Sequence, residues 1–536
     1  MKYTRLSPRR TSLRALVSLA ALCALACDDT SSGSSDPRVR EASPPIALTD
    51  GLVYTPTAAP SGADVVTLDL TVDPPRAVPR ALETPVAARA QRGEIGDAVL
   101  LTAGAEARDE GKRRVPAVPS QLVVVGRTGE LVARTLSGRY GALTLSTDGR
   151  FALAHTPTGS LVLQNAIEVV DLDAPPTQPG KVVTLQLDGR APSGFVFSPK
   201  DGFSRRMVVI LFAGSVMLLD LERPENGPIA VPLATSGDGR GLIPQRVLFA
   251  GERMFVQSSG TSSVLVLELL AAADQRHGFR VVPSLLGASA GLRDVALVGS
   301  GASLRIAALT GQLELLDPQS GSSTVIAATP SATTLLPFEG TAPGDPVSAP
   351  RALVFAFGVS SVGFVELGGG EGWTGRNVET VELGEPVIAM LPLLAHKRAL
   401  GLHASSRLSV IDLQARTVDP YRLAGPLADW LIDDDATRTR LWVASGDKLG
   451  ILDLAAKTAT EVPITLPISP TGQVPVSFER GVAQRAVVLR LVPGARRRVA
   501  LLHASEAGRV TLIDAETPTR ESAREPAGFF LAGLFD

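Results

Sequence analysis

A short apolar run that ends in an acidic residue returns eight times along this chain and constrains its fold more than any other feature. The first copy is Ile-Glu-Val-Val-Asp at residues 167–171, and the last is Leu-Ile-Asp at residues 512–514. Successive acidic residues are separated by 41 to 61 positions, most often by 46 to 49. Strand-length runs that recur at such a period are typical of an architecture built from one repeated unit. The eight acidic residues are Asp171, Asp220, Glu268, Asp317, Glu366, Asp412, Asp453 and Asp514.

Each repeat has room for four strands and their turns. Between residues 129 and 171, strand-like runs at 131–134, 142–145, 151–154 and 167–171 are separated by turn-forming residues. A four-stranded sheet with two apolar faces needs a neighbour on each side, and radial stacking supplies both. The sequence therefore predicts an all-β chain that forms a single β-propeller.

We expect about eight four-stranded blades, with seven to ten allowed by the repeats. The apolar segment 527–535 near the C-terminus has no repeat of its own, and we expect it to pair with N-terminal strands. Such a composite blade would close the ring and remove an unpaired edge. Two smaller propellers in tandem are the alternative.

The polar turns Ser-Thr-Asp-Gly at residues 146–149 and Ser-Pro-Lys-Asp-Gly at residues 198–202 accompany the acidic strand ends. Together they resemble the repeat of bacterial surface propellers of the WD40/YVTN-like superfamily. The resemblance implies architecture only, because propellers carry many unrelated functions.

The first 26 residues predict a signal peptide. Five basic residues precede an apolar stretch at residues 15–26, whose 12 residues are too few to span a bilayer. The sequence Ala-Leu-Ala-Cys that ends at Cys27 resembles the lipobox of bacterial lipoproteins, which implies that Cys27 is lipidated. A plain secretory signal cleaved near Ala26 is the alternative. We therefore divide the chain into a signal peptide (1–26), a Gly/Ser-rich flexible tether (27–45) and a propeller (46–536).

The charge and cysteine content exclude several classes of function. Both cysteines, Cys23 and Cys27, precede residue 30, so the remaining chain has no disulfide and no cysteine-ligated metal. Without the five basic residues of the signal peptide, the chain holds 47 basic and 54 acidic residues. This net charge of −7 argues against a nucleic-acid partner.

Histidines and an acidic run are the candidate metal ligands. Leu-His-Ala-Ser occurs at both His403 and His503, and His155 lies at a comparable strand end, so these rings could in principle surround a metal. We favour a repeated polar position that bonds a neighbouring turn. Residues 433–435 are three aspartates, but they lack the spacing of a known calcium loop, and we interpret them as a polar turn. The sequence predicts no metal and no cofactor.

The other candidates also have ordinary explanations. The basic runs at 112–114 and 496–498 are interpreted as solvated loops, with anionic headgroups or an acidic partner as the alternative. No helix pattern follows the glycine-rich residues 368–372, as a phosphate cradle would require. The serine-rich residues 258–263 do not form a hydrolase elbow and are interpreted as a hairpin loop. Three tryptophans are too few for the docking repeats of quinone-cofactor propellers.

These observations predict a non-catalytic binding or scaffolding protein of the bacterial cell envelope. The expected partners are the membrane, through the lipid on Cys27, and other envelope proteins. The location would be the outer membrane or the periplasmic face of the inner membrane. The alternative is a lactonase-like propeller hydrolase with a metal in its central channel. Carboxylates or histidines that converge on the axis would favour the enzyme, whereas small or apolar axial residues would favour the scaffold.

Overall fold

The computed structural model describes most of the region predicted to form the propeller. The signal peptide, Cys27, the tether and the apolar segment 527–535 lie outside the described residues, as do some side chains within strands, including that of His503. The described residues are 46–48, 51–55, 63–69, 72, 76–82, 84–92, 96–110, 113–126, 129–157, 165–185, 192–233, 242–342, 345–368, 378–425, 427–434, 438–445, 448–464, 477–479, 482–484, 489–492, 497–503 and 509–519.

The described strands form ten sheets that follow one another along the chain, and we number the sheets in that order. Sheets 1 to 3 each contain four antiparallel strands, and a small separate hairpin of β7 and β8 is inserted within sheet 2. Their strands are β1 (Ile46–Ala47), β2 (Gly51–Tyr54), β3 (Ala63–Asp69) and β4 (Arg76–Leu82) in sheet 1; β5 (Val86–Gln91), β6 (Ala98–Thr102), β9 (Gln121–Val125) and β10 (Leu131–Thr135) in sheet 2, with β7 (Arg108–Glu110) and β8 (Arg113–Val115); and β11 (Ala142–Leu145), β12 (Phe151–His155), β13 (Ala166–Asp171) and β14 (Lys181–Thr184) in sheet 3.

Sheets 4 to 7 repeat this four-stranded order, and two 3₁₀ turns, η1 (Pro224–Asn226) and η2 (Gly301–Ser303), lie between their strands. Their strands are β15 (Gly194–Phe197), β16 (Met207–Phe212), β17 (Ser215–Asp220) and β18 (Ile229–Pro232) in sheet 4; β19 (Pro244–Ala250), β20 (Arg253–Ser258), β21 (Ser263–Ala271) and β22 (Phe279–Gly287) in sheet 5; β23 (Asp294–Val298), β24 (Arg305–Leu309), β25 (Gln312–Leu316) and β26 (Ser323–Ala328) in sheet 6; and β27 (Thr334–Ala342), β28 (Asp345–Phe355), β29 (Ser361–Glu366) and β30 (Glu379–Glu382) in sheet 7.

Sheets 8 and 10 depart from this pattern, whereas sheet 9 follows it. Sheet 8 has two additional strands that come from the segment between sheets 9 and 10, and sheet 10 has three described strands. The 3₁₀ turn η3 (Leu394–His396) joins the first two strands of sheet 8. The strands are β31 (Val387–Leu393), β32 (Arg398–His403), β33 (Arg407–Asp412) and β34 (Thr417–Arg422) in sheet 8, with β39 (Ser477–Glu479) and β40 (Val482–Gln484); β35 (Leu427–Asp434), β36 (Thr439–Ser445), β37 (Lys448–Asp453) and β38 (Thr458–Pro463) in sheet 9; and β41 (Leu489–Val492), β42 (Arg498–His503) and β43 (Arg509–Asp514) in sheet 10.

The central strands of each sheet are apolar on both faces. The unbroken apolar run at residues 207–219 predicts two buried strands of a hairpin, and this is confirmed: β16 pairs with β17, and Phe212 lies opposite Ser215. All six residues of β16 are buried. Gly214 turns the chain between them with a φ of +87°, a conformation that glycine adopts without steric cost.

Each sheet shares an apolar cluster with the next, which is why both faces are apolar. Leu153 of sheet 3, for example, belongs to one cluster with Ile210 of sheet 4, and Met207 of sheet 4 belongs to the next with Met254 of sheet 5. Nine such clusters join the ten sheets in chain order without a break. The chain is a β-propeller, although among the described residues no cluster joins sheet 10 to sheet 1.

The first strand of each sheet lies at the axis and the fourth lies at the rim. First strands of neighbouring sheets contact one another, as β5 contacts β11 and β23 contacts β27, while fourth strands such as β38 are largely exposed. Ten sheets is the upper limit of the predicted range. Sheet 1 is built from four consecutive strands, and among the described residues no sheet combines strands from both ends of the chain.

Candidate functional site

The repeated acidic residue caps a turn. Asp412 ends the third strand of sheet 8, and its Oδ1 accepts hydrogen bonds from the backbone N–H groups of Gln414, at 2.9 Å, and Ala415, at 2.8 Å. An aspartate that bonds the backbone two residues ahead stabilises a tight turn. The same bond is made by Asp171, Asp220, Asp317, Asp453 and Asp514. The feature that dominates the sequence is therefore structural.

An arginine at the start of the second strand faces this acidic residue. Arg398 lies directly opposite Asp412 in the sheet register, and their side chains form an ion pair at 3.0 Å. Arg253 and Glu268 do the same at 2.9 Å. This arginine was not predicted to be functional or structural, although all eight repeats show it immediately before the second apolar run. The eight arginines are Arg150, Arg206, Arg253, Arg305, Arg351, Arg398, Arg440 and Arg498.

These groups lie at one end of the sheets, where the turns between first and second strands and between third and fourth strands are found. We call this end the paired-charge face. Ion pairs also join neighbouring sheets there: Arg206 of sheet 4 lies 2.7 Å from Asp148 of sheet 3, and Lys457 of sheet 9 lies 2.9 Å from Asp419 of sheet 8. Burial acts to raise the pKa of Asp148, but hydrogen bonds from Ser146 and Arg206 outweigh it and lower the pKa.

Two stretches that the sequence presents separately meet on this face. Asp433 is fully buried, accepts a hydrogen bond from Arg440 and lies 2.6 Å from Nη2 of Arg497. The indole N–H of Trp442 also points to this carboxylate, at 3.3 Å. The interpretation of the basic run as a solvated loop is wrong for Arg497, which joins sheet 10 to sheet 9. Because Arg440 and Arg497 both bind the Asp433 carboxylate, it is not available as a calcium ligand.

The two histidines whose side chains are described at matching strand ends have local partners. In His155, Nε2 lies 3.0 Å from the Thr144 hydroxyl and Nδ1 lies 2.7 Å from the Thr156 carbonyl. In His403, Nε2 lies 2.8 Å from Oγ of Ser409 and Nδ1 lies 3.0 Å from the carbonyl of Pro386. Burial lowers the pKa of His155. Both rings therefore have local structural partners, although Nε2 in each case bonds a hydroxyl on a neighbouring strand and not the neighbouring turn that was expected.

The remaining histidines and the other candidates are dispersed. His277 packs near Phe279, and His396 lies 4.0 Å from Asp434. Within the part of the chain that the structure describes, no three His, Cys, Asp or Glu side chains form a group that could hold a metal ion. Residues 258–263 form the hairpin turn between β20 and β21, as predicted.

Acidic residues on the axial strands hold neighbouring blades together. Asp294, on the first strand of sheet 6, pairs with Arg246 of sheet 5 at 2.6 Å and accepts the Leu335 N–H of sheet 7 at 2.9 Å. Asp429 of sheet 9 accepts the Leu489 N–H of sheet 10 at 2.8 Å. Each carboxylate links the first strands of consecutive sheets.

The other end of the sheets, which we call the opposite face, carries the turns between second and third strands and the loops between sheets. Its turns are rich in Gly, Ser, Thr and Pro, and three large apolar side chains among the described residues are exposed there: Ile243, at 52%, Phe357, at 38%, and Ile388, at 41%. The Gly358 N–H donates to the Val387 carbonyl at 2.9 Å, so the turn that carries Phe357 lies against the strand that carries Ile388. A cavity of about 160 Å³ opens beside this turn and is lined by residues 328–332, Val354–Ala356, Val359, Ser361–Gly363, Val378 and Thr380.

A larger cavity, of about 370 Å³, lies on the paired-charge face between sheets 6, 7 and 8. Its apolar lining includes Phe338 and the exposed Leu394, and the charged residues Glu339, Arg351 and Lys397 complete it. Both cavities therefore border sheet 7. None of the helices among the described residues has the length and hydropathy needed to cross a bilayer.

No protein-family model and no curated protein matches the sequence. Among solved structures, dihydro-heme d1 dehydrogenase NirN in complex with DHE is 15% identical, with a TM-score of 0.41 over 68% of this chain and 73% of that chain. Apo AztD from Citrobacter koseri is 13% identical, with a TM-score of 0.34 over 70% and 97%. BamB from Moraxella catarrhalis is 14% identical, with a TM-score of 0.33 over 76% and 94%. The propeller assignment rests on the ten sheets and the apolar clusters between them.

Proposed function

We propose that this protein is a lipid-anchored propeller of the bacterial cell envelope that binds other envelope proteins without catalysing a reaction. The observation that carries the proposal is the pair of exposed apolar side chains, Phe357 and Ile388, on adjoining backbone segments of the opposite face. An exposed apolar patch with a polar surround is typical of a protein-interaction site. We therefore assign the binding surface to this pair and to the cavity beside it.

The arrangement of the charged and imidazole groups supports a role without catalysis. His155 and His403 bond side chains on neighbouring strands, while Asp294 and Asp429 link blades. Asp433 is occupied by two arginines. These are the groups that a metal-dependent hydrolase would need to direct into a channel, and here they stabilise the fold.

The first test uses the exposed pair. We expect the double substitution Phe357→Ser and Ile388→Ser to abolish capture of envelope proteins from detergent-solubilised membranes, measured by quantitative mass spectrometry. The matched control is Val182→Ser with Leu285→Ser, because these apolar residues are similarly exposed, at 49% and 69%, but lie on rim strands. If both variants capture the same proteins as the wild type, the assigned surface is wrong. If the wild type captures none above a tag-only control, the binding function itself fails.

The second test concerns the anchor. If Cys27 carries the lipid, Cys27→Ser should move the protein from the membrane fraction to the soluble fraction. The check is fractionation followed by a high-salt wash, with wild type as the control. A Cys27→Ser protein that stays in the washed pellet contradicts the lipid anchor.

A further inference from the structure

The larger cavity, on the paired-charge face, has the size and lining of a small-molecule site. Its volume of about 370 Å³ lies within the range of about 300–1,000 Å³ that is usual for such sites, whereas the cavity beside Phe357, at about 160 Å³, is smaller. Apolar side chains from three sheets line it, among them Val298 of sheet 6, Phe338 of sheet 7 and Leu413 of sheet 8. Mostly apolar walls with a few polar groups are typical of a site for a small organic molecule.

The register of sheet 7 places the charges of the cavity on two sides. Phe338 lies opposite Arg351, and Glu339 lies opposite Pro350. Residues that lie opposite each other in an antiparallel pair point to the same face, and the next pair points to the other face. Phe338 packs in one apolar cluster with Leu413 of sheet 8. Arg351 therefore shares the face toward sheet 8, and Glu339 is on the face toward sheet 6.

Lys397 adds a second cation on the side toward sheet 8. It lies between η3 and β32 of that sheet, and its carbonyl accepts the Leu413 N–H at 3.0 Å, which fixes its backbone beside the cavity. Arg351 is buried, with 2% of its surface exposed, and Lys397 is exposed. A guanidinium group and an ammonium group on one side of an apolar cavity favour an anion, and both groups bind carboxylates.

The backbone of Lys397 gives a second, independent indication. Lys397 immediately precedes the repeated arginine of its sheet and has a φ of +55°, and Gly149 has a φ of +69° at the corresponding position of sheet 3. A positive φ is unfavourable for a residue with a Cβ, whereas glycine adopts it without that penalty. Arg416 and Lys457 also have positive φ, but they form ion pairs with acidic residues of the fold. Within the described part of the chain the ammonium group of Lys397 forms no ion pair, so its charge is available to a ligand.

We infer that this cavity binds a small organic monocarboxylate with an apolar body. The carboxylate binds on the side of Arg351 and Lys397, and the apolar body lies against the lining that includes Leu394. Glu339, on the other side, disfavours a ligand with a second negative charge. The site and the proposed protein-binding surface are on different faces, and this inference does not depend on the envelope-binding function.

The first test measures binding to the purified full-length protein by isothermal titration calorimetry. The probes are hexanoate, octanoate and hydrocinnamate, and the controls are the amides and amines with the same carbon skeletons. We expect at least one carboxylate to bind, its amide and amine not to bind, and the matching dicarboxylate (adipate, suberate or phenylsuccinate) to bind more weakly. If no carboxylate binds, or if an amide, an amine or a dicarboxylate binds as tightly as its monocarboxylate, the inference is wrong.

The second test uses variants of Lys397 and a matched control. Lys397→Gly should lower the affinity for the bound carboxylate about tenfold, because one charge-assisted hydrogen bond is lost, and should not lower the midpoint of thermal unfolding. Lys397→Arg keeps the charge and should bind the carboxylate as the wild type does. The control Lys457→Gly removes a cation from another position of positive φ, outside the cavity, and should leave the affinity unchanged.

Three results of the second test would overturn the inference. They are wild-type affinity in Lys397→Gly, equal losses of affinity in Lys397→Gly and Lys457→Gly, and a lower unfolding midpoint in Lys397→Gly, which would show that the lysine serves the fold.

Discussion

The two ends of the same sheets are built differently. On the paired-charge face, sheets 3 to 10 repeat an acidic residue at the end of the third strand and an arginine at the start of the second, as in Asp412, which caps a turn and binds Arg398. On the opposite face, Phe357 and Ile388 are exposed between sheets 7 and 8, and among the described residues the other large apolar side chain exposed on this face is Ile243, next to sheet 5. A contact that is repeated in nearly all blades is expected to stabilise each blade, whereas a feature found at few blades can form a specific binding site. This difference supports a structural role for the first face, and the binding site that we propose lies on the second.

The largest expected loss of stability is at Asp433 on the paired-charge face. Asp433→Ala should lower the free energy of unfolding by about 3–5 kcal/mol, because it leaves the buried Arg440 without its counter-charge. Denaturant titration measures the loss. The control is Asp434→Ala, whose carboxylate is 57% exposed and should cost less than about 1 kcal/mol. Equal losses would contradict the structural role of the buried pair.

A smaller effect is expected at two buried glutamates that hold loops of the opposite face. Glu168 and Glu314 occupy equivalent positions on the third strands of sheets 3 and 6, and each accepts the N–H of a serine in the loop before its sheet, Ser137 or Ser289. Burial raises the pKa of Glu168. Burial also acts to raise the pKa of Glu314, but hydrogen bonds from Ser289, Thr310 and Ser323 outweigh it, so that this pKa is lowered.

The sign of the pH dependence follows from these shifts. Ionised Glu314 stabilises the fold above the unfolded-state pKa, and this contribution is lost as the pH falls through its lowered folded pKa. Glu168 has the opposite sign, because its stabilising contribution declines as the pH rises from the unfolded-state pKa through the raised folded pKa. Glu314→Gln should therefore lower the free energy of unfolding by about 1–3 kcal/mol at pH 7 and by less at acidic pH. At pH 7, Glu168→Gln should lower it by less than Glu314→Gln does. Denaturant titrations at several pH values would contradict this if both variants behaved alike.

The smallest expected change in stability is at Asp412, where two substitutions distinguish the turn cap from the ion pair. Asp412→Asn keeps an oxygen that can accept from Gln414 and Ala415 but loses the charge that faces Arg398, and should cost less than about 1 kcal/mol. Asp412→Ala loses both and should cost about 1–2 kcal/mol. Thermal unfolding in low and high salt checks the assignment, since salt should reduce the cost of the asparagine variant only if the ion pair contributes. Equal costs for the two variants would mean that the turn cap contributes nothing.

The sequence was informative wherever the relevant physics is local. Alternating turns and apolar runs predicted four strands per repeat, and the hairpin at residues 207–219 was recovered because a strand pair joined by Gly214 is a local structure. The blade count was less certain, because sheet 2 has Gly126 at the position of the repeated acidic residue. The arginine opposite each acidic residue was also visible in the sequence, but its role depends on the register between two strands.

The sequence by itself determined a β-propeller built from acid-terminated repeats, because strand periodicity and turn chemistry depend on neighbouring residues. Only the tertiary structure decided which distant groups meet. Asp433 pairs with Arg497, the hairpin at residues 477–484 returns to β31, and Phe357 lies on a turn against the strand that carries Ile388. These contacts depend on how whole sheets stack around the axis. The positions of residues along the chain do not show which residues of different sheets will meet.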